Sequence, residues 1–158
     1  MGEVLKKRLK MSKFESPLQE ATLALMAAAS ELRSNIDRVL AEADLTGEQF
    51  NILRILRGAG KEGHPSGEIA CRMIDRAPDI TRRIDTLEKL GFVKRERSTK
   101  DRRVVRAFIT DKGLKALDAI TPKLIAFDNN LLANLTEPEL SQLASLCEKL
   151  ISVEVECN

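Results

Sequence analysis

The sequence predicts a mostly helical protein with one small β-hairpin. Of its 158 residues, 43% are hydrophobic and 32% are charged, and there are only 8 glycines and 5 prolines, a composition typical of helical proteins. Apolar residues recur at helical spacing along most of the chain, whereas residues 92–109 place two short apolar runs around a basic turn. The length fits one domain of common size, and the aromatic content of 3% makes the core aliphatic.

The basic residues are concentrated in one segment of the chain. The formal net charge of the whole protein is only +2. Residues 72–106 contain 12 Lys and Arg against 6 Asp and Glu, a net charge of +6, which leaves −4 for the remainder. A local excess of positive charge of this kind is expected of a module that binds nucleic acid.

The first long helix is predicted to begin at Ser16 and Pro17. We expect the basic segment over residues 1–15 to fray, the alternatives being a short helix or contacts with phosphates. Apolar residues recur every seven positions in this helix, at Leu18, Leu25, Leu32 and Val39. Such a heptad favours packing against a partner helix, either in a second subunit or within the same chain.

Two shorter helices are predicted next. The first of them is predicted to start with a capping box formed by Thr46 and Gln49. In a capping box, the side chains of the cap residue and the third helical residue each accept a hydrogen bond from the other's backbone N–H. The inward-facing residues of this helix are Phe50, Leu53 and Leu56. Ser66 is the predicted cap of the second helix and a candidate phosphate contact. The apolar residues that we expect behind the following helix are Ile69, Ala70, Met73 and Ile74.

The helix predicted between Ala77 and Gly91 has a distinct inside and outside. Its apolar stripe consists of Ile80, Ile84, Leu87 and Leu90. Its first turn presents Asp79, Thr81, Arg82 and Arg83 together. Arginine can bond guanine and aspartate can accept from cytosine, which suits a recognition helix in the major groove. The alternative is an ordinary amphipathic helix with a solvated charged face.

The hairpin over residues 92–109, called the wing below, is strongly basic. Between Lys94 and Arg106, seven bases accompany two acids, a local net charge of +5. An arginine-rich tip can enter the narrow, negative minor groove of DNA, and Asp101 is placed to orient Arg103 by a charge-assisted hydrogen bond. The alternative is a sheet edge that its charges protect against aggregation.

The chain ends in two further predicted helices. Thr110 caps the first, in which Pro122 is expected to cause a bend or a break, and Thr136 caps the second. Together with the helix at residues 18–43, we expect residues 111–153 to form a layer of outer helices around the basic segment.

These motifs carry a family resemblance. The run from Pro78 to Val93, then Arg95, the sequence Asp101-Arg102-Arg103 and the run from Ile109 to Gly113 closely resemble the MarR family of bacterial transcriptional regulators, over about residues 18–152. The resemblance implies a winged helix-turn-helix head at residues 45–110 between dimerisation helices at 18–43 and 111–153, in one domain over 1–158. It also implies an obligate homodimer on a pseudo-palindromic operator, usually a repressor that a small molecule or oxidation releases from DNA.

Ten residues are predicted to contact double-stranded DNA: Ser66, Asp79, Thr81, Arg82, Arg83, Thr86, Lys100, Asp101, Arg102 and Arg103. A winged-helix module that binds protein rather than specific DNA is one alternative. A thiol-based redox regulator that uses Cys71 or Cys147 is another. The sequence identifies no effector and no ligand-binding residue.

Several other classes are disfavoured. No apolar run approaches the roughly 20 residues of a membrane-spanning helix, so we expect a cytoplasmic protein. The three cysteines lack metal-type spacing, and the single histidine, His64, leaves little for a metal centre. No phosphate loop or nucleophile-histidine arrangement is present, so we expect neither an enzyme nor a bound cofactor.

Overall fold

The computed structural model describes residues 2–75, 79–98 and 101–151. Its helices, in chain order, are α1 (Glu3–Leu9), α2 (Pro17–Ala41), α3 (Gly47–Ala59), α4 (Ser66–Arg72), α5 (Ile80–Lys89), α6 (Asp111–Leu132) and α7 (Glu137–Glu148). Its strands are β1 (His64–Pro65), β2 (Val93–Arg97) and β3 (Val105–Ile109). This architecture confirms the mostly helical fold with a small β-wing.

The sheet is antiparallel and has the strand order β1-β3-β2. In the wing, Val93 lies opposite Ile109 and Arg97 lies opposite Val105. On the other edge of β3, His64 lies opposite Ala107. The sequence predicted the hairpin but not β1, because two residues are too few to show the alternation of a strand.

The helix starts follow the capping residues closely, with one exception. Thr46 Oγ1 accepts a hydrogen bond from Gln49 N at 3.2 Å, and Gln49 Oε1 accepts one from Thr46 N at 3.0 Å, so the predicted capping box is confirmed. The prediction for Ser66 was wrong: Ser66 is the first helical residue of α4, and Pro65 precedes it as the cap. Pro65 has the extended backbone of an N-cap residue, so the helix already includes Ser66.

Two further expectations need correction, and of the bend or break expected at Pro122 only the break is excluded. The N-terminal segment was expected to fray, but Glu3–Leu9 forms α1 and Arg8 forms an ion pair with Glu31 of α2 at 2.8 Å. The recognition helix begins at Ile80 rather than Ala77, and residues 76–78 lie outside the described part. Pro122 does not break α6, which continues through it to Leu132.

The core is aliphatic and lies among the end of α2, α3, α4, α5, the sheet and α6. Its largest fully buried side chains are Leu40, Ile52, Leu53, Leu56, Ile69, Ile84, Leu87, Leu117 and Ile120. In the predicted stripe of α5, Ile80 is also buried, whereas Leu90 at its end is 41% exposed. The stripe therefore fixes which face of α5 points away from the protein.

Gly113 joins the wing to the outer helices. Thr110 Oγ1 caps α6 by accepting from Gly113 N at 3.2 Å, and Thr110 N donates to the Phe92 carbonyl at 3.0 Å. A Cβ on Gly113 would lie 2.5 Å from that carbonyl oxygen and 2.8 Å from Ile109 Cγ1. The glycine is needed because α6 starts in direct contact with the base of the wing.

The outer helices leave large apolar side chains exposed. The exposed residues of this kind on α2 are Leu18, Leu25, Met26 and Leu32. Those on α7 and just after it are Leu143, Leu146, Leu150 and Ile151. The predicted heptad of α2 therefore does not bury its leucines in the described part of the chain.

Candidate nucleic-acid interface

The start of α5 presents its polar residues to solvent. Because Ile80, Ile84 and Leu87 are buried, Thr81 and Arg82 lie on the exposed side, as Thr86 does one turn later. Thr86 Oγ1 donates to the Arg82 carbonyl at 3.0 Å, which leaves the hydroxyl oxygen able to accept a further hydrogen bond.

The two adjacent arginines of α5 have different surroundings. Arg83 is ion-paired to Glu48 at the start of α3, and its Nε donates to Asp79 Oδ1 at 3.0 Å. Its side chain is only 25% exposed. Arg82 is exposed, and its guanidinium makes no hydrogen bond or ion pair with the residues that the structure describes. Arg82 is thus available to a ligand, while Arg83 fastens α5 to α3.

Asp79 precedes α5 as its N-cap residue, yet its side chain does not cap the helix. Its carboxylate instead accepts from Arg83, four residues later. The structure thus brings Asp79, Thr81, Arg82 and Arg83 together at one end of α5, as the sequence predicts, but gives Asp79 an internal partner. Ser66 lies at the start of α4, partly buried.

Arg95 of β2 ties the wing to the recognition helix. Its Nη1 lies 2.5 Å from Asp85 Oδ1 and 3.5 Å from Glu88 Oε2, and its Nη2 donates to the Thr81 carbonyl at 3.1 Å. The backbone N–H of Arg95 also donates to Glu88 Oε1 at 3.1 Å. These contacts, called the Arg95 clamp below, were not predicted from the sequence. Their only signal there is that Arg95 follows two acidic residues of the preceding helix.

The wing tip holds one arginine in place. Asp101 Oδ1 accepts from the backbone N–H of Arg103 at 3.0 Å and lies 3.5 Å from its Nε. The Arg103 side chain is nonetheless 93% exposed. Arg102 is exposed and unpaired among the described residues, and the predicted contact Lys100 lies outside them. Ser98 N donates to the Val104 carbonyl at 2.8 Å and closes the turn.

A cavity of about 780 Å³ lies between part of the outer helices and the head, residues 45–110. It is lined by α2, α3, α6 and residues 73–75, and it is called the interlayer cavity below. Arg33 of α2 spans its edge: Nη1 donates to Asp75 Oδ2 at 2.7 Å and Nη2 to Oδ1 at 3.3 Å. Hydrogen bonding to Arg33 lowers the pKa of the Asp75 carboxyl. This bidentate pair joins α2 to the turn before the recognition helix.

The described part of the chain contains neither a metal-binding cluster nor a membrane-spanning helix. Its His, Cys, Asp and Glu residues form no cluster able to hold a metal ion. Its helices are either too short or too polar to span a bilayer. Cys147 is a free, partly buried thiol and Cys71 is not free, so the predicted redox roles of both stay predictions.

This arrangement matches known proteins along most of its length. The model of the MarR family matches residues 45–105, from just before α3 into β3. The crystal structure of a MarR transcription factor from Planctomyces limnophilus is 36% identical, with a TM-score of 0.66, and the match covers 86% of this chain and 98% of that one. The chain belongs to the MarR family.

Two other relatives are consistent with membership of the MarR family. The transcriptional repressor MprA of Escherichia coli is 28% identical over 138 residues, which cover 86% of this chain and 78% of MprA. A Staphylococcus aureus MepR–DNA complex has a TM-score of 0.72 at 22% identity, over 82% of this chain and 92% of that one, and so supports the fold. The chain is a winged helix-turn-helix transcriptional regulator and not an enzyme.

Proposed function

We propose that the protein is a homodimeric repressor that binds a pseudo-palindromic operator. In each subunit the start of α5 enters the major groove and the wing tip enters the adjacent minor groove. The observation that carries the proposal is the contrast between two neighbouring arginines: Arg83 is anchored internally, whereas Arg82 is exposed and unpaired among the described residues. The contacts of Arg83 hold α5 against α3, and the helix presents the Arg82 side chain to solvent.

The DNA contacts divide into two kinds. Arg82, together with Thr81 and Thr86, reads bases, because all three are exposed on one side of α5. Asp79 and Arg83 hold the start of that helix in position through their mutual ion pair. Residues at the wing tip and the start of α4 contact the minor groove and the phosphates. This second group comprises Ser66, Lys100, Arg102 and Arg103, with Asp101 orienting Arg103.

The dimer is proposed from the exposed apolar residues of the outer helices. Leu25 and Leu32 lie one heptad apart on α2 and are 44% and 37% exposed, and Leu150 after α7 is 67% exposed. Surfaces of this kind mark interaction sites. A two-fold dimer that buries them places two heads on half-sites about one helical turn, ~34 Å, apart.

Relief of repression is proposed to act through the interlayer cavity. Its volume of about 780 Å³ falls within the range of small-molecule sites. Arg33 and Asp75 connect its two sides, so a small molecule that alters their contact changes how the head sits against α2. By linkage, the ligand weakens DNA binding only as far as it prefers the conformation that does not bind DNA. The name of MprA supports the repressor assignment.

The assignment of Arg82 is tested by comparing two variants that lose the same charge. Arg82→Ala removes a proposed base contact, whereas Arg57→Ala removes an arginine of α3 that no proposed contact uses. In fluorescence anisotropy with a selected operator, we expect Arg82→Ala to weaken binding roughly 10- to 100-fold and to reduce the preference over scrambled duplex. Arg57→Ala should bind like the unmodified protein.

Equal operator affinity of the two variants would contradict the proposed base contact of α5. If Arg82→Ala and Arg57→Ala bind the operator equally well, Arg82 reads no base. If neither variant nor the unmodified protein distinguishes the operator from scrambled duplex, the winged-helix module serves protein contacts instead.

A further inference from the structure

Arg95 of the wing lies along one flank of the recognition helix. Its partners Thr81, Asp85 and Glu88 occupy positions i, i+4 and i+7 of α5, which share one side of a helix and span about two turns. The Arg95 side chain is only 23% exposed. The Arg95 clamp therefore holds β2 against α5 at more than one point along the helix.

The opposite flank of α5 is held by α3. Arg83 lies on that flank, and its ion pair with Glu48 connects it to the first turn of α3. Arg82 and Thr86 face outwards between the two flanks. The outward side of α5 is thus restrained by the body of the head on one flank and by the wing on the other.

The charges of the clamp favour internal contacts over a contact with DNA. Arg95 carries one positive charge, whereas Asp85 and Glu88 carry two negative charges, so the three side chains together are negative. Both terminal nitrogens of Arg95 are already engaged by α5. A phosphate that approached this guanidinium would also meet the two carboxylates, which repel it.

A small change of angle at Arg95 is enlarged at the tip of the wing. Strand β2 continues to Arg97, and Ser98 N then donates to the Val104 carbonyl at 2.8 Å. At about 3.3 Å per residue, the tip begins roughly 10 Å beyond Arg95. One base pair occupies about 3.4 Å along the axis of DNA, so a tilt of about 20° at the clamp would move the tip by one base pair.

We infer that Arg95 is a positioning residue that determines which operators the protein accepts, an inference that rests on the proposed DNA binding by α5 and the wing tip. By holding β2 against α5, the clamp fixes the number of base pairs between the bases that α5 reads and the minor-groove segment that the wing enters. Arg95 acts through the position of Arg103 relative to Arg82 and not by touching DNA.

The test measures spacing as well as affinity. The operator selected by the unmodified protein is compared in fluorescence anisotropy with displaced operators, in which one base pair is inserted or removed between the bases read by α5 and the segment under the wing. Each variant's affinity for the displaced operators is divided by its own affinity for the original, so a general loss of folded protein or of charge cancels. We expect the unmodified protein to bind displaced operators roughly tenfold more weakly.

Two substitutions that change the charge in opposite directions should have the same effect. Arg95→Gln removes a base and Asp85→Asn removes an acid, and each breaks the clamp. Both variants are expected to discriminate several-fold less than the unmodified protein between original and displaced operators. Simple attraction to phosphates predicts instead weaker binding by Arg95→Gln, tighter binding by Asp85→Asn and unchanged discrimination.

Matched controls change the same charges at neighbouring positions of β2. Arg97 makes no hydrogen bond or ion pair with the residues that the structure describes, and Glu96 pairs with Lys94 of the same strand. Arg97→Gln and Glu96→Gln should keep the discrimination of the unmodified protein. Arg95→Lys keeps the charge but has one nitrogen in place of the guanidinium fork, so it should retain general affinity and lose discrimination.

Retained discrimination in a folded Arg95→Gln variant or in Asp85→Asn would overturn the inference and leave sequence-specific binding in place. An unmodified protein that binds original and displaced operators equally would also overturn it. An equal loss of discrimination in Arg97→Gln would attribute the effect to the charge of the wing and reject the clamp.

Two outcomes separate the clamp from the function on which it rests. A protein that does not distinguish its operator from scrambled duplex would overturn the proposed function, and the inference with it. Loss of discrimination in Asp85→Asn would support the clamp even if Arg95→Gln failed to fold.

Discussion

Two neighbouring arginines show how far a single residue's role depends on distant contacts. The sequence placed Arg82 and Arg83 together as candidates for base reading, and both do lie at the start of α5. Only the fold brings Glu48, which is 35 positions earlier, next to Arg83. Helical spacing shows which arginine faces outwards, because Arg82 lies across the helix from the buried stripe and Arg83 lies beside it, but it does not identify Glu48 as the partner of Arg83.

Asp101, in contrast, contacts a residue only two positions away. Its predicted contact with Arg103 could be inferred from the sequence for that reason, and the structure confirms the contact. Replacing Asp101 with alanine removes a negative charge near the proposed DNA contact, which by simple electrostatics should tighten binding. If the carboxylate orients Arg103, we expect the reverse, a several-fold weaker affinity for the operator in fluorescence anisotropy.

Glu96→Gln is the matched control for Asp101→Ala, since Glu96 also lies in the wing and pairs with Lys94 at 2.6 Å. Losing that charge should leave operator affinity unchanged or slightly increased. A tighter complex for both variants would show that Asp101 acts only as a charge.

At the scale of elements, most short-range signals were interpreted correctly, apart from the Ser66 cap, the N-terminal segment and the start of the recognition helix, whereas the long-range contacts were not predicted. The capping boxes and the apolar stripes depend on residues within one or two turns, so the sequence shows them directly. Strand β1 has two residues and exists only because β3 lies beside it, 43 positions later at His64 and Ala107. The Arg95 clamp likewise depends on the way in which α5 and β2 pack.

The start of α6 offers a test of element packing. Gly113→Ala improves helix propensity by about 1 kcal/mol, but the added Cβ would collide with the Phe92 carbonyl 2.5 Å away. We expect the collision to dominate and to lower the free energy of unfolding by roughly 1–3 kcal/mol, measured by urea denaturation.

The control is Gly58→Ala in α3, where the added Cβ meets nothing within 4 Å. It should raise the free energy of unfolding by roughly 0.5 kcal/mol through propensity alone. Equal stabilisation by both substitutions would mean that α6 does not begin against the wing.

At the scale of the whole molecule, the heptad of α2 predicts a surface that packs against a partner helix, and the structure leaves its leucines exposed. We expect the double substitution Leu25→Glu and Leu32→Glu to convert a dimer into monomers, because charges would replace the leucines of the proposed interface. Sedimentation equilibrium over a range of protein concentrations measures this change.

Ile74→Glu is the control for the dimer prediction, because Ile74 is 82% exposed but lies beside the interlayer cavity and not on the outer helices. That variant should remain dimeric. If the α2 variant also keeps the mass of the unmodified protein, the heptad packs elsewhere.

The central claim is that two copies of α5 and the wing bind neighbouring turns of duplex DNA. The most direct measurement is selection of bound sequences from a pool of random duplexes, followed by sequencing. We expect enrichment of an inverted repeat whose half-site centres lie about one helical turn, ~34 Å, apart. A bound pool with the same composition as the input, or one enriched in single unrepeated half-sites, would contradict the account.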